Sequence, residues 1–263
     1  MKKTIVLLLI ALIFSSALTA QAVAEQRKTE IIVFAAASMT ETLTEIKGLY
    51  EAANPNIAII CNFDSSGTLK TQIEQGAQCD IFISAAEKQM NALIDLGLID
   101  RSTHVTLLEN KTALAVPAGN PANITGFDQL ASLLKEGKVF LAIGNSDVPV
   151  GQYTQKIFEY YGIDEAAVAK AGCLTYGSNV KEVTTQVSAA SVDCGIIYAT
   201  DAFSAGLQVT DTATQQMTGG RVLYPAAVLS SSKNRTQATA FLDYLKGSEA
   251  MKVFESVGFA SAL

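Results

Sequence analysis

The chain has 263 residues, 49% of them hydrophobic and 17% charged, which excludes a disordered or low-complexity protein and allows one large or two modest domains. Its 19 lysines and arginines, less Lys2 and Lys3 of an expected leader, leave 17 basic against 25 acidic residues, a net charge of −8. A surplus of that sign argues against a nucleic-acid or anionic-membrane partner, and any anionic ligand must be held by local dipoles against a repulsive overall field.

The N-terminus reads as a secretory signal peptide over residues 1–24. Lys2 and Lys3 form a basic start, Ile5 to Phe14 an apolar core too short to span a bilayer, and Ala22-Val23-Ala24 a small-residue cleavage site. Cleavage is expected after Ala24. No cysteine follows the apolar core to take a lipid, so the mature chain is expected to be soluble and periplasmic.

Ile31–Ser38 (IIVFAAAS) is an unbroken apolar run ending in small residues, the pattern of a strand buried on both faces. The period then changes: Leu43, Ile46, Leu49 and Tyr50 recur at helical spacing, and Ser38 with Glu41 fits a capping box opening that helix. A strand end, a helix start and the space left by three alanines together suggest an anion site. Ile57–Phe63 is a second strand and Cys79–Ser84 a third, each followed by a helical pattern. The β-α-β-α-β-α order predicts a parallel sheet with right-handed crossovers.

A second block repeats the pattern from the linking strand Thr112–Pro117. Val139–Ile143, Cys173–Tyr176 and Cys194–Tyr198 read as its strands, with helices opening near Val150 and Val180. The tail, from the strand Tyr224–Ser230 onward, matches nothing in the second block and is expected to return to the first. The expected division is therefore 25–110 plus 225–263 for one lobe and 111–224 for the other. In each block a cysteine opens the second strand and another the third, so Cys61–Cys79 and Cys173–Cys194 are the expected disulfides in an oxidising compartment. That pairing requires the second and third strands to touch instead of flanking the first. Four buried free thiols are the alternative.

Catalysis finds little support. The only histidine, His104, sits in the polar segment Asp100–His104, and no G-x-S-x-G, P-loop or dinucleotide fingerprint occurs. What is present is a set of neutral donors where strands give way to helices or loops: Ser38, Ser66, the Val150 and Val180 regions, and Tyr198. Any one of them alone is an ordinary cap or turn residue. Together they suit a small anion, because a capping serine still has its own proton to donate.

The ordered set is similar to the periplasmic molybdate-binding proteins of ABC transporters. Ala35–Ser38, Phe63–Leu69, Gln72–Ala77, Asp80–Ala85, Val148–Tyr153, Val180, Gly195–Ala202, Tyr224-Pro225, Phe241–Leu245 and Phe254–Phe259 resemble that family's segments in order across the mature chain. The resemblance implies an α/β, two-lobed periplasmic-binding-protein fold of type II, each lobe a mostly parallel sheet flanked by helices, with the ligand cleft between lobes. It implies molybdate or tungstate as ligand and no cofactor. Ser38 and Ser66 would offer hydroxyl and backbone N–H groups, Val150 and Val180 backbone N–H groups, and Tyr198 its phenol. The family often has alanine where Val150 stands, a change that a backbone donor tolerates. An inner-membrane permease is the implied partner, and a monomer is expected. A site without a carboxylate disfavours phosphate, which carries a proton that needs an acceptor. Sulfate, thiosulfate or an organic anion on the same scaffold, and a secreted hydrolase, are the alternatives.

Overall fold

The computed structural model describes residues 28–263, so the expected signal peptide and its cut after Ala24 lie outside the described residues. β1 (Thr29–Ala36) leads through a 3-10 turn, Ala37–Met39, into α1 (Thr40–Ala53). β2 (Ile57–Asp64), α2 (Ser66–Glu74), β3 (Ile81–Ile83), α3 (Glu87–Asp95) and β4 (Val105–Asn110) follow. The chain then passes into a second sheet: β5 (Thr112–Val116), α4 (Phe127–Lys135), β6 (Leu141–Gly144), α5 (Pro149–Tyr161), α6 (Glu165–Lys170), β7 (Leu174–Gly177), α7 (Val180–Ser188), β8 (Cys194–Tyr198), α8 (Ala199–Ser204) and β9 (Gln208–Thr212). After α9 (Gln215–Thr218) it returns through β10 (Val222–Val228), α10 (Arg235–Leu245), α11 (Ser248–Ser256) and β11 (Ala260–Ser261).

The strands form a six-stranded sheet ordered β11-β4-β10-β3-β1-β2 and a five-stranded sheet ordered β7-β6-β8-β5-β9. Each has a parallel trio, β3-β1-β2 centred on β1 and β7-β6-β8 centred on β6. The strands around the crossings, β4 and β10 in one sheet and β5 and β9 in the other, pair antiparallel. The sheets are therefore mixed, and less parallel than expected, because a strand entering from the other sheet needs no helical crossover to set its direction. The whole is a two-lobed α/β fold of type II. Among the described residues no helix is long and apolar enough to cross a membrane.

β1 sits inside its sheet with both faces covered, which is what its unbroken apolar run requires. Val33 packs in the cluster that holds Leu43 and Ile46 of α1, and the next residue, Phe34, in the one that holds Leu69, Ile73 and Met90.

The expected disulfides are not formed: Cys61, Cys79, Cys173 and Cys194 are all free thiols. Strand order is the reason. Cys61 lies beside Val33, and Val33 lies beside Ile81 on its other flank, two residues beyond Cys79. Cys194 and Leu174, the neighbour of Cys173, likewise flank Leu141 from opposite sides. Two strand spacings come to about 9.6 Å, beyond the roughly 7 Å between Cα atoms that a disulfide spans. Burial pushes the Cys61 thiol up to about 11 and raises those of Cys79 and Cys194 as well, so all three stay protonated and unreactive. Unfolding the protein without reductant should expose four thiols per chain to a colorimetric reagent; disulfide-linked peptides in a non-reducing map would contradict this strand order.

Candidate ligand site between the sheets

The site begins where β1 runs out. Ala36 is still extended, and the 3-10 turn that follows buries Ser38 with its Oγ 2.9 Å from the Tyr224 hydroxyl. The expected Ser38–Glu41 capping box is absent. The 3-10 turn delays α1 to Thr40, so its N-cap position falls to Met39, which has no side-chain oxygen to offer. Glu41 instead pairs with Lys181 on α7, at 2.7 and 2.8 Å. It does not compete for the Ser38 N–H.

At the end of β2, Ser65 caps α2 by accepting from the Thr68 N–H at 3.1 Å. Ser66 is then the first helical residue, fully buried, with its Oγ accepting from the Ala85 N–H at 2.9 Å. In the second sheet α5 opens on Pro149, whose missing N–H costs nothing at a helix start, and Val150 follows. Asn179 caps α7 by accepting from the Glu182 N–H, which leaves Val180 as its first residue. Tyr198 is the last residue of β8. Its ring meets those of Tyr153 and Tyr224 edge-on, and its hydroxyl is buried with no hydrogen-bond partner among the described residues.

Ser38, Ser66, Val150, Val180 and Tyr198 line one cavity, with Ala36, Ala37, Ser65, Ala85, Val148 and Pro149 completing the wall. It offers about 10 Å³ of room to the centre of a water molecule, close to the least that holds one water. In this arrangement that is far too small for a sugar, amino acid or peptide. The wall carries no charged side chain. The first turns of α2, α5 and α7 contribute N–H groups that lack intrahelical acceptors, together with the positive ends of their dipoles.

The charges stand outside the cavity wall. Asp64 accepts from its neighbour's N–H (Ser65) at 2.7 Å and from Asn179 Nδ2 at 3.3 Å. Lys181 holds Asp201 as well as Glu41, with Asp201 Oδ1 at 3.0 Å. Burial pushes Asp201 up to about 6, against the pull of Lys181. Burial also raises the Tyr198 and Tyr224 hydroxyls well above the ordinary tyrosine value, so both keep their protons. His104 is exposed and forms no part of the wall. With no base beside Ser38 or Ser66, neither serine can be activated as a nucleophile.

Two features were not singled out from the sequence as site elements. Asn110 reaches the Tyr224 hydroxyl at 3.1 Å and Thr200 Oγ1 at 2.9 Å, a buried polar chain behind Ser38. Gly67 lies against the Asp147 backbone from the other sheet. Both are contacts between residues far apart in the chain, which periodicity does not register.

Residues 31–260 match the family model of the bacterial extracellular solute-binding proteins. The chain is 34% identical over 250 residues to the molybdate-binding protein ModA of Escherichia coli, covering 93% of each chain. Among solved structures it is similar to the periplasmic molybdate-binding protein of Azotobacter vinelandii, with a TM-score of 0.76, 19% identity and coverage of 89% of this chain and 100% of that one. It is similar to the same degree to the sulfate-binding protein SubI of Mycobacterium tuberculosis, with a TM-score of 0.75, 19% identity and coverage of 89% and 87%. The shared fold therefore does not choose between these anions. An uncharged pocket between two α/β lobes, with no base to activate a serine, fits the non-enzymatic role of these relatives: the chain belongs to the bacterial extracellular solute-binding proteins, in the family of ABC-transporter substrate-binding proteins that includes the molybdate-binding proteins.

Proposed function

We propose that the protein captures one fully deprotonated tetrahedral oxyanion, molybdate or tungstate, between a lobe of residues 25–110 plus 225–263 and a lobe of residues 111–224. It releases the anion to an ABC permease in the inner membrane. Ser38 and Ser66 donate from the first lobe; the N–H groups of Val150 and Val180 and the Tyr198 hydroxyl donate from the second. The monomer works in the periplasm once residues 1–24 are removed. The observation that carries this reading is the cavity wall, which has hydroxyls and helix N-termini and no charged side chain. A dianion that only accepts hydrogen bonds matches such a wall. A cationic ligand does not, nor does an anion that must donate a proton. Each charge-assisted bond contributes about 1.5–3 kcal/mol.

Thermal melts with molybdate, tungstate, sulfate and phosphate test it. At 100 times its Kd the true ligand adds about 2.7 kcal/mol, or about 5–10 °C for a chain of this size. Molybdate or tungstate should give that shift and phosphate none. A larger shift with sulfate would reassign the anion, and no shift with any oxyanion would overturn the reading.

A further inference from the structure

We propose that Tyr224, held by Asn110, is a positioning residue that fixes the Ser38 hydroxyl as a donor, and that this makes the site discriminate against oxyanions carrying a proton. The inference rests on the oxyanion reading above and adds two residues that do not line the cavity.

Counting donors and acceptors sets the proton order. Asn110 Oδ1 accepts from the Lys111 N–H at 2.8 Å. The amide cannot be turned over, because that would set its NH2 group against another donor. Its Nδ2 therefore donates in both directions, to Thr200 Oγ1 at 2.9 Å and to the Tyr224 oxygen at 3.1 Å. Tyr224 has one proton, and the other hydrogen bond its hydroxyl makes is with Ser38 Oγ, at 2.9 Å; the Tyr198 hydroxyl stands nearby but makes no hydrogen bond of good geometry with it. If Ser38 donated along that bond, the Tyr224 proton would be left unpaired in a fully buried site. Tyr224 therefore donates to Ser38, and the Ser38 proton is turned toward the cavity. Ser66 Oγ receives the Ala85 N–H on one of its lone pairs and keeps its own proton to donate. The Tyr198 hydroxyl has no other partner among the described residues and is free to donate.

An oxyanion with no proton meets donors at all three hydroxyls. Hydrogen phosphate or hydrogen arsenate needs an acceptor for its own O–H. Ser38 can supply one only by swinging its proton back onto Tyr224, which strands the tyrosine proton in the interior.

Two variants and one measurement on the unmodified protein test this. Tyr224→Phe frees Ser38 to point either way, so the affinity ratio of molybdate to hydrogen phosphate at pH 7 should fall about tenfold. Asn110→Asp places an acceptor behind Tyr224 and reverses the proton order, so the ratio should fall again, even though the added charge weakens both anions. A purely structural role would weaken both ligands equally, and a variant that melts like the wild type and keeps the wild-type ratio would overturn the proposal. Neutron diffraction of the deuterated wild-type protein reads the order with no substitution. Deuterium on the Tyr224 oxygen directed at Ser38 supports the proposal; deuterium on Ser38 directed at Tyr224 overturns it. A wild-type protein that binds no molybdate would defeat the ligand assignment, while the neutron result would still decide the proton order.

Discussion

Gly67→Ala should lower affinity for the anion by about 100-fold or more while each lobe stays folded. A Cβ at this position would lie 2.2 Å from the Asp147 carbonyl oxygen and 3.1 Å from its carbonyl carbon. The obstacle is backbone, not the end of a flexible side chain. Asp147 sits in a tight turn, with its own N–H bonded to Asn145 Oδ1 and the Val148 N–H bonded to the Asn145 carbonyl. Gly67 lies in the first turn of α2, beside Ser66, and its backbone is not in the left-handed region. The glycine is needed here for room, since alanine is otherwise the better helix former. Any side chain would therefore wedge the lobes apart. The Val150, Val180 and Tyr198 donors would be drawn back together from Ser38 and Ser66. Losing the equivalent of one or two charge-assisted bonds, about 3 kcal/mol, is roughly a factor of 100 in Kd. Titration calorimetry measures the loss. Small-angle scattering should show ligand-induced compaction in the wild type and none in the variant. Wild-type affinity with alanine at 67 would mean that the lobes do not need this contact to hold the anion.

Tyr198→Phe should separate binding from stability. The Tyr198 hydroxyl is buried and no other group among the described residues depends on it for a hydrogen bond, so its removal strands no donor or acceptor in the protein. Removing it should leave the ligand-free melting temperature unchanged or raise it by a few degrees, while affinity falls about 10- to 100-fold with the loss of one charge-assisted bond. The ring itself stays, held by its edge contacts to Tyr153 and Tyr224. Ser66→Ala should behave differently, because it strands the Ala85 N–H and so weakens both binding and the empty protein. Lys70→Ala should change affinity little, since Lys70 pairs with Glu74 along the helix and takes no part in the cavity wall. Equal losses from Lys70→Ala and Tyr198→Phe would mean that charge, and not a set of neutral donors, carries recognition.

What the sequence made legible was local. Ile31–Ala36 read as doubly buried because every residue type in it tolerates burial on both faces. The positions around Ser38, Ser66, Val150 and Val180 stood out because each marks a change from strand to helical period. The structure brings all four, with Tyr198, to one cavity because parallel strands of one sheet present their C-terminal ends on the same side. Non-local facts were not legible. The cysteines sit at matching places in two similar blocks, but β1 and β6 lie between their strands, and strand order leaves no periodic trace. Glu41 has the spacing of a capping box, yet a three-residue 3-10 turn moves the helix start past Ser38 and leaves the carboxylate free for Lys181. Tyr224 read as the first residue of an apolar strand and Asn110 fell in no predicted element; their chain to Ser38 exists only once β4 and β10 are paired.

The central claim is that neutral donors from both lobes hold the anion. Anomalous diffraction at the molybdenum edge, from crystals grown with molybdate, tests it most directly. The expected result is one strong peak in the cavity, with anion oxygens about 2.7–3.1 Å from the hydroxyls of Ser38, Ser66 and Tyr198 and from the backbone nitrogens of Val150 and Val180. A peak held by lysine or arginine side chains, or by one lobe alone, would contradict it.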